Sequence, residues 1–416
     1  MSAKKNVLWF VIYKIVLNIT YVYIHKDLYG YYGFGFEPSI AKKLISWFLF
    51  IILVTCISSK TVNCRTLFLY TTMCLGLTPA FVYYENNPDA ETWMIVAQAV
   101  VLLIMHIIMN KLSVFQSIKF KKISHSSQSV RFVVVLILGL YFVYAVAQYG
   151  MPSFELLSFD SVGIIRENSN MSTLMVIVQN LVCRVVGPIS MMLLFFKKKW
   201  GAFLLVLIVQ LYTYSVTGFK TFLFIPVVVI SLLVFQKLDI NRLMLRALPI
   251  VCIGCSLLYL LFDEIYPYAL INERVLYLPA KIKFAYFDYF SKHDFAFFSQ
   301  TTIGSLFGIE SSYTESIPNL IGRVYFNRPE MWTNTGFMAD AYSNMGIIGM
   351  LIIAVFLSLV LLLIDACLRD NDPILNRGIL GMLLLFFISL NDGSAITVFF
   401  FRRNDFCIAP SMCVIF

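Results

Sequence analysis

The sequence predicts an all-α, polytopic transmembrane helix bundle of 11 to 12 spans with one large extracytoplasmic loop. Three observations predict it. Hydrophobic residues make up 60% of the 416 and charged residues 13%, where an ordinary soluble domain carries about a quarter charged. Continuous apolar runs of about 17 to 24 residues recur, the length that crosses a hydrocarbon core as helix. The alternating strands of a membrane barrel, the other architecture that satisfies backbone groups in lipid, are not seen.

In order, the spans read at 7–24, 43–59, 66–84, 92–110, 131–149, 173–196, 200–216, 219–236, 247–265, 337–364, 378–390 and 394–413. The first follows Lys4 and Lys5; its apolar core ends at Tyr21–Ile24 without a small-residue cleavage site, so it reads as a retained span and not a signal peptide. Basic residues mark every second connection: Lys60/Arg65, then Lys111, Lys119, Lys121, Lys122 and Arg131, then Lys197–Lys199, Lys237/Arg242/Arg246 and Arg369/Arg377. By the positive-inside rule that side is cytoplasmic, with the N-terminus on it. Acids gather in the other connections, Glu85/Asp89/Glu91 and Glu155/Asp160/Glu167. The net charge of +9 is therefore topological and not a nucleic-acid footprint. The last span is short and interrupted by Arg402 and Arg403, which leaves eleven or twelve crossings.

Three regions follow: an N-terminal bundle of about nine spans over 1–265, a segment at 266–336 without a membrane-spanning stretch, and C-terminal spans over 337–416. Loops carry chemistry while spans scaffold it, so the 266–336 segment, facing outward, is where a substrate site is expected.

Several chemistries are excluded. The nine cysteines lie in spans or on the cytoplasmic side, where no disulfide is expected. Cys252 and Cys255 form a CxxC inside an apolar helix with no second pair or His nearby, which favours packing over metal binding. His25, His106, His125 and His293 are scattered, and HExxH, GxSxG and Walker A patterns are missing.

Basic residues placed where lipid forbids them remain. Arg184 lies mid-span in Asn180–Pro188 with no acid on its helix, so it calls for a polar cavity or a partner. Lys220 sits in Tyr212–Thr221 at the outward turn between two spans, after Gly218 and at a fresh helix N-terminus suited to a phosphate oxygen. Arg166, in the preceding exported loop, converges on the same place. The segment at 266–336 adds Arg274, Lys281, Lys283, His293, Glu310, Glu315, Arg323, Arg328 and Glu330 among many aromatic rings. Rings beside charges suit sugar faces, and equally an amphipathic helix on the bilayer. Lys281–Lys292 reads as the interfacial helix; Tyr313–Trp332, with Tyr325, reads as the ligand-facing surface.

The order of a basic exported loop, Val216–Pro226 opening a span, one large late exported loop, Asn334–Gly349 opening the next span and Ser389–Ser394 near the end resembles the Wzy-type O-antigen and capsule repeat-unit polymerases. The resemblance implies a membrane-embedded glycosyltransferase of the GT-C kind in the bacterial cytoplasmic (inner) membrane. It would polymerise undecaprenyl-pyrophosphate-linked oligosaccharide repeats at the outer face, with a flippase and a chain-length regulator as partners and no cofactor or metal. Carried over residue by residue, Lys220 matches the family's basic turn and Arg166 and Arg184 the basic residues before it, for the pyrophosphate, joined by Arg323 and Arg328. Tyr313, Tyr325 and Trp332 are the expected sugar platform, and Glu310, Glu315, His293 and Asp340 the candidates to deprotonate the acceptor. O-antigen ligase and lipid-linked oligosaccharide flippase are the rival readings.

Overall fold

The computed structural model describes residues 3–112, 128–150, 175, 178–180, 182–217, 220–234, 239–301, 304, 307–369 and 373–395. Among them every regular element is helical. Eight helices are long and apolar enough to cross a membrane: Lys4–Tyr32, Ile40–Ile57, Cys64–Asn86, Thr92–Lys111, Val178–Phe196, Trp200–Thr217, Ile240–Phe262 and Phe337–Leu368. The expected spans at 131–149, 219–236 and 378–390 correspond to the helices Gln128–Tyr149, Lys220–Val234 and Pro373–Asp392, and the one at 394–413 lies outside the described residues beyond 395. This is a polytopic helical bundle.

The helices are α1 (Ala3–Thr20), α2 (Lys26–Tyr29), α3 (Ile40–Ile57), α4 (Cys64–Thr71), α5 (Thr78–Asn86), α6 (Thr92–Lys111), α7 (Gln128–Tyr149), α8 (Gly187–Phe196), α9 (Trp200–Thr217), α10 (Lys220–Val234), α11 (Ile240–Phe262), α12 (Ile265–Tyr268), α13 (Leu278–Phe290), α14 (Ile317–Phe326), α15 (Phe337–Leu368) and α16 (Pro373–Asp392). Wider π turns at Tyr21–His25, Thr72–Leu77, Val182–Val186 and Ala269–Tyr277 continue several of them without a break. Asn63 starts α4 with a capping box shared with Thr66, and Asp239 caps α11 by accepting from the Arg242 amide.

The basic connections share one end of the bundle. Arg65 donates to Asp365 at 2.5 Å and to the Met109 carbonyl at 2.6 Å, which ties the start of α4 to the ends of α15 and α6. Asn6 reaches the Ser59 carbonyl, Asn241 reaches Thr66, and Arg377 reaches the Leu232 carbonyl. At the opposite end, the Lys42 ammonium binds the Asn87, Pro88 and Ala90 carbonyls at 2.6, 2.9 and 2.8 Å, so it closes the turn between α5 and α6.

One sequence expectation is corrected here. Within 266–336, Tyr268, part of the following π turn and α13 pack against the bundle, while Ile265 and Tyr266 of α12 are exposed. Tyr268 meets the Thr20 carbonyl and Tyr277 the Leu17 carbonyl, while Phe284 packs on Tyr83 and Phe287 on Trp93 and Tyr342. Lys281–Lys292 does not lie on a bilayer surface. Every residue of α13 except Asp288 is buried, and a helix apolar nearly all round belongs inside. Its two lysines are therefore internal.

Glu85, expected in an exported loop, is also internal. Its carboxylate lies 3.3 Å from the Lys14 ammonium, and neither side chain has any exposure. Ser46 accepts from Lys14 at 2.7 Å and the Trp47 ring lies 4.1 Å away, so α1, α3 and α5 are joined around one buried pair.

α15 bends at Met345 and Gly346, where Gly346 has φ 62° and ψ −148°. The chain at 296–298 docks on the carbonyls that the bend frees: Ala296 donates to Ser343 and Phe297 to Asn344. The first two turns of α15 thus form a separate short helix pointing into the bundle.

Candidate functional site

Where α13, α15, α16 and the π turn at Thr72–Leu77 meet, the interior is polar. Lys283 is 5% exposed and donates to the Gly76 carbonyl at 3.3 Å. Asn391 donates to Thr72 at 3.4 Å and to the Phe387 carbonyl at 2.8 Å. Asp392 follows Asn391 as the last residue of α16. Between these groups lies a void of about 10 Å³ lined by Thr72, Gly76, Gln98, Lys283, Gly336 and Asn391 among others. That is room for roughly one water.

Close approach of backbones builds this centre. A Cβ on Gly336 would stand 2.3 Å from the Asn391 carbonyl oxygen, and one on Gly76 would stand 2.6 Å from Asn391 Oδ1 and 3.4 Å from Lys283 Nζ. Only glycine lets the start of α15 rest on the end of α16. Asn334–Gly349 and Ser389–Ser394, two of the stretches singled out in the sequence, therefore meet in space.

Asp340 stands on the first turns of α15, with its amide bonded to the Gly336 carbonyl at 3.1 Å. Tyr286 on α13 donates its hydroxyl to the Thr333 carbonyl at 2.9 Å, just before α15 begins. Asp340, Asp392 and Ser394 are partly exposed while Lys283 and Asn391 are buried, so the centre opens on the carboxylate side. Of the four proton acceptors expected from sequence, Asp340 alone lies here.

The others belong to a surface cluster around α14 and the end of α13. Glu315 and Arg323 pair with each other, the Nε–Oε1 contact being 3.1 Å, at 33% and 50% side-chain exposure. Their charges compensate at the surface. The ion pair raises the Arg323 pKa, as Asp288 does for Lys292. His293 stacks on Tyr289 with ring centroids 4.0 Å apart. Tyr313 donates to the Asp294 carbonyl, Tyr325 donates to Asp288 at 2.5 Å, and Trp332 donates to Asn334 at 2.8 Å. Glu310 is exposed, and the exposed Arg328 guanidinium lies 4.8 Å from the Tyr32 ring centroid.

Arg184 occupies the π turn before α8, its guanidinium 5.7 Å from the buried Phe222 ring. Phe222 follows Lys220 by two residues, so the structure brings Arg184 against the first turn of α10; the Lys220 side chain and all of Arg166 lie outside the described residues. Leu232 near the far end of α10 touches Arg377 and Gly381 on α16.

The Lys14–Glu85 pair escaped the sequence reading of a site, while Lys283 entered it only among the polar groups of 266–336, and Asn391 and Asp392 only within Ser389–Ser394. A lysine framed by Ile282 and Phe284 inside a long apolar stretch was the signal for Lys283. Among the described residues, no three of His, Cys, Asp and Glu gather as a metal-ligand set. Comparison of the chain with known protein families, curated proteins and solved structures finds no match.

Proposed function

We propose that the protein is a metal-independent membrane glycosyltransferase that polymerises undecaprenyl-pyrophosphate-linked oligosaccharide repeats into O-antigen or capsular polysaccharide at the outer face of the bacterial cytoplasmic membrane. The observation that carries this reading is a polar centre inside an apolar bundle, where buried Lys283 donates to the Gly76 carbonyl and the start of α15, which carries Asp340, rests on the end of α16, which carries Asp392. Charges are kept within a membrane protein for chemistry or transport, because each costs several kcal/mol there, on the order of 3 by insertion scales. The resemblance of Val216–Pro226, Asn334–Gly349 and Ser389–Ser394 to the polymerases decides between those uses.

In this reaction an acceptor hydroxyl attacks the anomeric carbon of the lipid-linked chain and the diphosphate leaves. Fixed Arg and Lys donors in a low-dielectric groove stabilise the leaving charge. Arg166, Arg184 and Lys220 take that role, with Arg323 and Arg328 outside the centre and Tyr313, Tyr325 and Trp332 as a sugar-facing surface. The test is reconstitution with a lipid-linked repeat. Longer glycans on the carrier support the reading; transfer to a lipid A core instead identifies a ligase, and movement across the bilayer without new bonds a flippase. Either of the latter two results overturns it.

A further inference from the structure

At the outward end of the bundle, two cations gather on the loop Gly30–Gly35, whose sequence is Gly-Tyr-Tyr-Gly-Phe-Gly. Tyr21 fixes the loop there: its hydroxyl donates to the Gly35 carbonyl at 2.8 Å and accepts at 2.6 Å from Asn87, in the turn between α5 and α6. Lys281 of α13, 8% exposed, donates its ammonium to the Tyr32 carbonyl between the Phe34 and Phe326 rings. A Cβ on Gly33, at φ 77°, would stand 2.6 Å from Lys281 Nζ, so the ammonium sits where the side chain of an exposed residue would be. Arg328, exposed just past α14, lies 4.8 Å from the centroid of the Tyr32 ring. Its backbone is held on both sides, the amide donating to the Gly322 carbonyl at 3.1 Å and the carbonyl accepting from Met331 at 3.0 Å.

No ion pair among the described residues includes either cation. A buried ammonium with one carbonyl for a partner, and a guanidinium beside the same tyrosine, call for an anion from outside the chain. The depth of the loop points to its carrier. Tyr31, 77% exposed with its ring 4.6 Å from that of Tyr32, and Tyr23, 75% exposed in the preceding π turn, are rings of the kind that sit at headgroup level.

We propose that Lys281, Arg328 and the Gly30–Gly35 loop bind the diphosphate of the lipid-linked repeat that serves as acceptor. This rests on the polymerase reading and deepens it. Elongation joins two lipid-linked glycans: the growing chain leaves its diphosphate, whereas the attacking repeat keeps its own throughout. Two diphosphates are therefore held at once. Arg184, against Phe222 of α10, belongs to the one that leaves. The loop site, built from α13, α14 and the segment after α2, takes the one that stays. On binding, a phosphate oxygen replaces the Tyr32 carbonyl as acceptor for Lys281, and the Arg328 fork closes on the same group.

The experiment counts undecaprenyl diphosphate, without sugar, bound to the full chain in detergent by native mass spectrometry, and repeats the count with phosphatidylglycerol added. Wild type should carry two. Arg328→Gln changes an exposed side chain and should bind the second at least about tenfold more weakly, the worth of one hydrogen bond to a charged group. Lys281→Met with Arg328→Gln should carry one. In proteoliposomes with a lipid-linked repeat, Arg328→Gln should need about tenfold more repeat for half-maximal elongation. A wild type that carries one diphosphate, or an Arg328→Gln variant that holds two as tightly as wild type, overturns the site. Phosphatidylglycerol that displaces the second diphosphate at equal concentration makes this a phospholipid headgroup site and overturns the acceptor assignment. Two diphosphates bound by a wild type that elongates nothing refutes the polymerase reading, and the acceptor role with it, while the anion site stands.

Discussion

Lys14→Met breaks the buried pair that joins α1, α3 and α5, and its cost follows from the geometry. At 3.3 Å the pair gains about 5 kcal/mol of Coulomb energy with an effective dielectric of 20, most of it offset by the desolvation of two side chains with no exposure. Removing the ammonium alone leaves Glu85 buried beside Ser46, an uncompensated charge that costs about 3 to 5 kcal/mol. Removing both charges in Lys14→Met with Glu85→Gln should return the protein to within about 1 to 2 kcal/mol of wild type, since replacement of a whole buried pair is often close to neutral. The assay is heating in mild detergent, with the monodisperse fraction read by size-exclusion chromatography. The single variant should melt well below wild type and the double variant between them. If Lys14→Met melts with wild type, or the double variant no higher than the single, the pair does not hold the three helices together.

Three further outcomes are expected. A reporter active only outside the cytoplasm should work when fused after Ser291 and fail after Lys199 or Lys122; the opposite pattern would invert the bundle. Gly336→Ala drives a Cβ to 2.3 Å from the Asn391 carbonyl oxygen, which should cost about 1 to 3 kcal/mol as an overpacked contact, and an unchanged melting temperature would show that α15 and α16 have room to part. Elongation by purified protein should survive chelation of divalent ions, and Lys220→Arg should retain more activity than Lys220→Gln, where loss of one charge-assisted donor costs on the order of 3 kcal/mol, roughly a hundredfold. Inhibition by EDTA, or a wild-type rate in Lys220→Gln, removes the proposed stabilisation of the leaving group.

The spans were legible because lipid demands continuous apolar runs and a run is a local property. What the sequence hid is pairing at a distance. Lys14 looks like an interruption of the first span and Glu85 like an acid at the end of the third, and only packing shows them to be each other's counter-ion. The same lack misplaced α13: Lys281 and Lys283 suggested a wet face, whereas Lys281 lies between the Phe34 and Phe326 rings, 5.1 and 4.9 Å away, and Lys283 faces Gly76. For the site, the density of charged and aromatic residues pointed to the surface cluster, where Glu315 and Arg323 compensate one another. Asp340 was legible as a candidate, but the approach of Gly336, one turn before it, to Asn391 at the end of α16 is one that no local pattern joins.

The π turns show how apolar helices make a polar interior. In an α-helix each carbonyl is taken by the amide four residues on, and a π turn widens the ring and frees acceptors that water cannot reach in lipid. Here side chains take them. At Thr72–Leu77, Tyr13 donates to the Cys74 carbonyl at 3.0 Å and Lys283 to the Gly76 carbonyl at 3.3 Å; at Val182–Val186, Gln210 donates to the Cys183 carbonyl at 2.6 Å. The turn at 72–77 is thus what allows a lysine to be held inside the bundle. A π turn contains one residue more than the α-helix it interrupts, so deleting Leu75 should restore regular helix, keep the register of α5, and withdraw the Gly76 acceptor from Lys283. Such a protein should still insert, since the span remains apolar and long enough, but its elongation rate should fall, because Lys283 loses its acceptor at the polar centre. Full elongation by the deletion variant would mean that Lys283 is held by something other than this turn, and that the widened helix is only a packing device.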